Sequence, residues 1–272
     1  MKVLRLVTAI SFVVTLCIFF VFYVVTKNNT DTTIPTIKIS GEEIEVKVNA
    51  TDAELLKGVT AFDEKDGDIT SSVVVESISK FIGDGLCTVT YAVADSDNNV
   101  AKNTRTIRYT DYTPPRFTMS YPLVFSLDDS VDVRSIVGAT DSIDGDISDK
   151  VVVTATNFTD NTVGVFALSL QATNSKGDII ELELPVYVED KSLLAPIIEL
   201  NEYMIYIKKG EKPNFRTYIS TVTANNSRLS NDEVKISTDF DSQTPGVYSV
   251  HYYASNSLGD TGHTILTVIV EE

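Results

Sequence analysis

The chain has 272 residues, 43% of them hydrophobic, with only 13 Gly, 8 Pro and two Cys, a composition that excludes disordered, collagen-like and disulfide-stapled proteins. Lys2 and Arg5 are the only charged residues among the first 26, which leaves 20 basic against 38 acidic side chains beyond them, a net charge of −18. So acidic a surface repels phosphate backbones, excludes nucleic acid as a partner, and attracts divalent cations or basic partners.

From Leu6 to Val25 the residues are apolar apart from Thr8, Ser11, Thr15 and Tyr23, and 20 residues suffice to cross a bilayer as a helix. The segment Val24-Val25-Thr26-Lys27 offers no small-residue cleavage site. Residues 1–26 are therefore expected to form a cytoplasmic stub and an uncleaved signal-anchor helix. Lys2 and Arg5 before it, against Lys27 after it, place the N-terminus in the cytoplasm. That reading makes the protein a single-pass protein of the cell membrane, held through residues 6–25, with its C-terminal domains extracellular.

Beyond a 27–35 linker, one segment recurs three times. Gly85-Leu86-Cys87-Thr88-Val89-Thr90-Tyr91, Gly164-Val165-Phe166-Ala167-Leu168-Ser169-Leu170 and Gly246-Val247-Tyr248-Ser249-Val250-His251-Tyr252 begin 79 and 82 residues apart. That period matches a small domain rather than a solenoid repeat. Alternation of period two puts Cys87, Val89 and Tyr91 on a core face, and a polar turn then leads into a partner strand. Prolines at Pro35, Pro114-Pro115 and Pro196 mark where copies begin. Short strands are predicted at 37–39, 43–48 and 73–77, and one brief helix at 52–58. About seven strands per copy predict an all-β chain of three tandem immunoglobulin-like antiparallel β-sandwiches, over 36–111, 115–190 and 196–272.

The run Val59-Thr60-Ala61-Phe62-Asp63-Glu64-Lys65-Asp66-Gly67-Asp68-Ile69-Thr70, followed by the strand from Gly85, resembles the bacterial immunoglobulin-like repeat of pesticidal crystal toxins and bacterial surface proteins, a relative of the hyalin repeat. The second copy carries the same signature at Val137-Gly138-Ala139-Thr140-Asp141-Ser142-Ile143-Asp144-Gly145-Asp146. In the third it has decayed to Val222-Thr223-Ala224-Asn225-Asn226-Ser227-Arg228. The resemblance implies a fold and a surface setting and no single activity.

Asp63, Asp66 and Asp68, with Asp141, Asp144 and Asp146, are the dense carboxylate clusters that recur. Such groups repel one another unless solvated or bridged by a hard cation such as Ca²⁺, so one reading is calcium at these clusters, above all a junction site at Asp141, Asp144 and Asp146 with Asp111 of the linker contributing. The other is a capped turn in which Gly67 and Gly145 supply unusual backbone angles. Asp95-x-Asp97-x-Asn99 begins like an EF-hand loop, but Val100 and Thr106 stand where Gly and Glu are needed. No cofactor is required on either reading.

Cys87 falls on the apolar phase of its strand and reads as a small buried hydrophobe, and Lys38 should point outward. His251 and His263 are the only histidines, His251 on the solvent-facing phase, and no nucleophile elbow or metal-ligand spacing accompanies them. The expectation is a non-catalytic stalk or adhesion module for an unknown protein or glycan ligand. The alternative is a carbohydrate-binding module that uses Tyr203, Tyr206 and Tyr253 as a stacking face.

Overall fold

The computed structural model describes residues 2–29, 31–127, 129, 132–225 and 227–272. The chain forms two compact units, Met1–Asp111 and Tyr112–Glu272.

The first unit opens with helix α1, Lys2–Asn29, which carries the apolar stretch Leu6–Val25. The side chains of Lys2 and Arg5, on which the orientation argument rests, lie outside the described ones. Then follow β1 (Thr36–Ile39), β2 (Glu43–Val46), the single-turn helix α2 (Asp52–Leu55), β3 (Val59–Asp63), β4 (Gly67–Asp68), β5 (Val74–Ile78), β6 (Leu86–Ala94) and β7 (Val100–Tyr109). They make two facing sheets in the orders β1-β3-β4 and β2-β7-β6-β5. The alternation in β6 buries Cys87, Val89, Tyr91 and Val93 as the periodicity predicts, and Lys38 is exposed.

Helix α2 starts where Thr51 donates its backbone N–H to Glu54 Oε2 at 2.9 Å, and it buries Leu55. A buried cation holds it down. Arg105 on β7 donates to the Leu55 carbonyl (2.6 Å), the Lys57 carbonyl (3.0 Å) and the Tyr91 hydroxyl (2.7 Å). Nothing in the residue pattern of β7 signals this, because the strand alternation alone does not say which inward position lies beneath the helix.

The second unit holds two further sandwiches of the same design. Sandwich 2 comprises β8 (Arg116–Met119), β9 (Val124–Ser126), β10 (Val137–Asp141), β11 (Gly145–Asp146), β12 (Val152–Thr156), β13 (Gly164–Thr173) and β14 (Ile179–Glu189). Sandwich 3 comprises β15 (Ile197–Leu200), β16 (Met204–Lys208), β17 (Ile219–Ala224), β18 (Ser227–Arg228), β19 (Lys235–Thr238), β20 (Gly246–Ser255) and β21 (Thr261–Glu271). Sheet orders β8-β10-β11 and β9-β14-β13-β12, then β15-β17-β18 and β16-β21-β20-β19, repeat those of the first.

Among the described residues each sandwich thus has seven strands, antiparallel except for one pair: β2 with β7, β9 with β14, and β16 with β21 run parallel. This crossing of the second strand to the far sheet is invisible to periodicity, which reports faces and not neighbours.

The second and third sandwiches share one unit because the apolar core of sandwich 2 continues into Met204 and Ile265 of sandwich 3. Polar contacts border that joint. The Tyr206 hydroxyl accepts from the Phe117 N–H at 2.9 Å, and Arg116 pairs with Glu271 at 2.6 Å while lying over the Tyr206 ring.

Candidate functional site

The pairing registers set Ile37 opposite Ala61, Phe117 opposite Ala139 and Ile198 opposite Val222. Asp63, Asp141 and Ala224 are therefore counterparts at the end of equivalent strands. The six predicted carboxylates divide by role.

Asp63 and Asp141 are buried, 2% and 7% exposed, and each folds its own loop. One oxygen of Asp63 accepts from the N–H groups of Lys65 and Asp66, both at 2.9 Å. Asp141 does the same for Ile143 at 2.8 Å and Asp144 at 2.9 Å. These are Asx turns, and the chain reverses through Gly67 and Gly145 at φ +77° and +73°, where a Cβ would be strained.

Asp66 and Asp144 reach sideways to the closing hairpin of the same sandwich. Asp66 accepts from the Ser96 N–H at 2.7 Å and its hydroxyl at 2.8 Å. Asp144 accepts from the same groups of Ser175 at 2.6 and 2.5 Å and from Lys150 Nζ at 3.0 Å. Burial pushes the Asp144 carboxyl up, but the Ser175 and Lys150 hydrogen bonds outweigh it and hold it below the usual carboxylate range.

Asp68 and Asp146 cap the following turns by accepting from Thr70 and Ser148, each at 2.9 Å, and these bonds lower both carboxyls. Asp111 accepts from the Val48 N–H at 2.9 Å. In sandwich 3, Ala224 stands in place of the buried aspartate, and Asn226 lies outside the described residues.

The turns between the last two strands complete the apex. In sandwich 1, Asp95 accepts from the N–H groups of Asp97 (2.9 Å) and Asn99 (2.7 Å) and from the Asn99 side-chain amide (2.7 Å). In sandwich 2, Asn174 holds Lys176 (3.0 Å) and Asp178 (2.9 Å) in the same way. In sandwich 3, Asn256 holds Leu258 and Asp260.

The segment before β1 then reaches the first turn. The Asp31 N–H donates to Asp97 at 3.0 Å, and the Asn99 amide donates to the Asp31 carbonyl at 3.0 Å. The result is that Asp31, Asp63 and Asp95 each present a carboxylate oxygen within 4.8 Å of the others. Asp95 is 8% exposed, and Asp63 Oδ2 is buried with no hydrogen-bond partner. Carboxylates held this close repel one another unless a cation or a proton donor lies between them.

Sequence reasoning reached Asp63 and singled out Asp95 only as the start of an incomplete EF-hand loop. It did not select Asp31, because nothing in a linker aspartate says that it folds back onto the turn.

A second polar cluster lies within the second unit, where sandwich 2 covers the outer face of β20. His251 does alternate away from its own core, but the Tyr187 ring meets it edge-on at 5.2 Å, so the expected solvent-facing residue is half-buried. Its Nδ1 contacts His263 Nε2 at 2.9 Å, His263 Nδ1 contacts Glu189 Oε1 at 2.6 Å, and Tyr253 stacks on His263 at 4.5 Å. Burial, then the charge of His263, holds the His251 imidazole below its ordinary range. Burial raises Glu189, but the hydrogen bond from His263 together with the charges of His263, Lys191 and His251 outweighs it and the carboxyl is lowered.

Of the three predicted stacking tyrosines, Tyr253 is taken up by this cluster. Tyr203 and Tyr206 line a cleft of about 530 Å³ with Arg116, Asn201 and Glu202.

No family model matches the chain. It is 32% identical over 126 residues to the pesticidal crystal protein Cry22Aa of Bacillus thuringiensis, across 44% of this chain and 16% of that protein. It is 25% identical over 138 residues to an uncharacterized 81.3 kDa protein of Acholeplasma phage L2, across 49% of this chain and 18% of that protein. The chain thus spans less than a fifth of the length of either curated relative.

Among solved structures, N-cadherin EC1-3 of Drosophila is similar with a TM-score of 0.30 and 13% identity, over 89% of this chain and 91% of that one. The M60 catalytic domain with the CBM51-1 and CBM51-2 domains of Clostridium perfringens ZmpB gives 0.25 and 16%, over 89% and 31%. At scores this low the likeness carries no argument, and the fold rests on the strand order itself.

Proposed function

We propose that this is a membrane-anchored bacterial cell-surface protein of the immunoglobulin-like repeat type, which acts without catalysis as a stalk or as an adhesion module for a protein ligand. The observation that carries the reading is α1. Its stretch Leu6–Val25 has a mean hydropathy of 2.5 with none of it buried, and Phe12, Phe19 and Phe22 are 66%, 68% and 70% exposed. A core helix of a soluble protein would bury such side chains, whereas a bilayer accepts them all round. Three sandwiches of the kind common in surface proteins follow it, and the local likeness to Cry22Aa supports the repeat assignment.

The test is to express the full chain in bacteria, wash membranes with alkaline carbonate, and treat intact cells with protease. Retention in the membrane with external digestion of the sandwiches is expected. Release by carbonate, or full protection from protease, would overturn the reading.

The cleft beside Tyr203 favours a second reading, in which the module holds a glycan by stacking on that ring, flanked by Asn201 and Glu202. A glycan screen in which binding is lost on Tyr203→Ala would support it, and binding unchanged in that variant would remove this cleft as the site.

A further inference from the structure

Sandwich 2 shows what a version of the acidic apex with its hydrogen bonds satisfied looks like. Its Asp141 Oδ2 accepts from the Asn174 amide at 3.1 Å, and that amide also donates to the Tyr112 hydroxyl at 3.1 Å, which itself donates to Asp178. Every one of these groups has a proton to share or a proton to receive. In sandwich 1 the counterpart of Asn174 is Asp95, the counterpart of Asp178 is Asn99, and the linker brings Asp31 instead of Tyr112. The donor that would meet Asp63 Oδ2 has become a second acceptor, and the arriving side chain is a third.

We propose that Asp31, Asp63 and Asp95 bind a hard divalent cation of the Ca²⁺ class, which ties the segment after α1 to the first sandwich. The buried, unpartnered Oδ2 of Asp63 is the observation that points to a ligand. Its equivalent in sandwich 2 points at Asn174, so Asp63 Oδ2 faces Asp95. Ca²⁺ holds oxygen ligands at about 2.3–2.6 Å, so two ligands on opposite sides lie roughly 4.6–5.2 Å apart, and three carboxylate oxygens all within 4.8 Å of one another are close enough to share one ion. The donors are all carboxylate oxygens, with no imidazole or thiolate in the group, which suits Ca²⁺ rather than Zn²⁺.

Lys65 Nζ pairs with Asp97 and its charge also reaches Asp31, but no ion pair among the described residues joins a cation directly to Asp31, Asp63 or Asp95. Asp31 is only partly buried, which leaves the site open on the linker side. The backbone of Asp31 is already fastened to the turn on both sides, so the cation would close a joint that hydrogen bonds have preformed.

The experiment is calorimetric titration of CaCl₂ into the full chain in detergent after chelator treatment, with MgCl₂ as competitor and hydrogen exchange of 31–35 and 95–99 as a local readout. One site per chain is expected, with Kd on the order of 10⁻⁴–10⁻³ M or tighter, as in extracellular calcium modules. Bound Ca²⁺ should slow exchange in both segments.

Asp63→Asn should weaken binding by more than the ~10–100-fold that altering a ligand's outer partners costs. The double exchange Asp95→Asn with Asn99→Asp copies the order found in sandwich 2, keeps the net charge, and should abolish binding in a folded protein. Asp144→Asn and Asp146→Asn should leave it intact. No heat from the wild type at ~10 mM Ca²⁺, or undiminished binding in both the Asp63→Asn variant and the exchanged pair, would overturn the proposal.

Discussion

At the turn that closes the last hairpin, sandwich 1 reads Asp95 to Asn99, and sandwich 2 reads Asn174 to Asp178, the same two side chains in exchanged order. The backbone hydrogen bonds they make are the same, so the exchange is neutral for the turn. It is not neutral for the loop beside it, since the outward oxygen of the buried aspartate accepts from an N–H in one copy and has no donor in the other. A motif repeated almost letter for letter can thus serve as a closed hydrogen-bonded cap in one domain and an electrostatically incomplete one in the next. The residue that decides between them lies some thirty positions away.

The largest effect should come from removing the buried aspartate itself. Asp141→Ala deprives two backbone N–H groups and the Asn174 amide of their acceptor and should cost ~2–4 kcal/mol. Asp63→Ala in chelator removes the same kind of turn bonds but also relieves carboxylate repulsion, so its loss should be clearly smaller. Thermal melts of the two variants check this, and equal losses would dissolve the contrast between the copies.

Reciprocal exchange comes next. Asn174→Asp with Asp178→Asn gives sandwich 2 the order of sandwich 1 and should destabilise it by ~1–3 kcal/mol, by leaving Asp141 Oδ2 without a donor. Its local signature is faster hydrogen exchange of residues 141–148. The opposite exchange in sandwich 1 should, without metal, leave the melting temperature unchanged or raised.

A smaller effect is expected of Tyr112→Phe, which removes a hydroxyl that accepts from Asn174 and donates to Asp178, at ~0.5–1.5 kcal/mol. Burial and the bond to Asp178 hold this phenol well above its ordinary range, so the loss should be flat across neutral and mildly alkaline pH.

Mild acid separates the two units by the smallest margin. Both histidines are in the second unit. The folded state lowers His251 from 6.5, so its neutral form is favoured there. The stability it contributes is full above pH 6.5 and is lost as the pH falls below that value, where the unfolded chain takes up the proton first. Glu189, also lowered, adds a loss that begins only below its unfolded value of 4.5. Because His251 is only half-buried, water screens the effect to under ~1 kcal/mol, a shift of at most ~2–4 °C in Tm between pH 7.5 and 5. His251→Gln should flatten it, and a first unit that responds equally would break the comparison.

Much of this molecule is written locally. The period-two runs determine which side chains of β6, β13 and β20 enter the core, the polar turns determine where the hairpins close, and the Asx-Gly pairs determine the acidic loops, because each depends only on neighbours within a few residues. The apolar stretch from Leu6 to Val25 is likewise a property of sequence alone.

The parallel pairing of β2 with β7, the burial of Arg105 under α2 and the covering of His251 by Tyr187 are not, since each joins segments far apart in the chain. The acidic apex belongs to the same class. Carboxylate repulsion and hydrogen-bond supply act over a few ångströms of space, and Asp31, Asp63 and Asp95 are brought within that range only when the linker folds onto the finished sandwich.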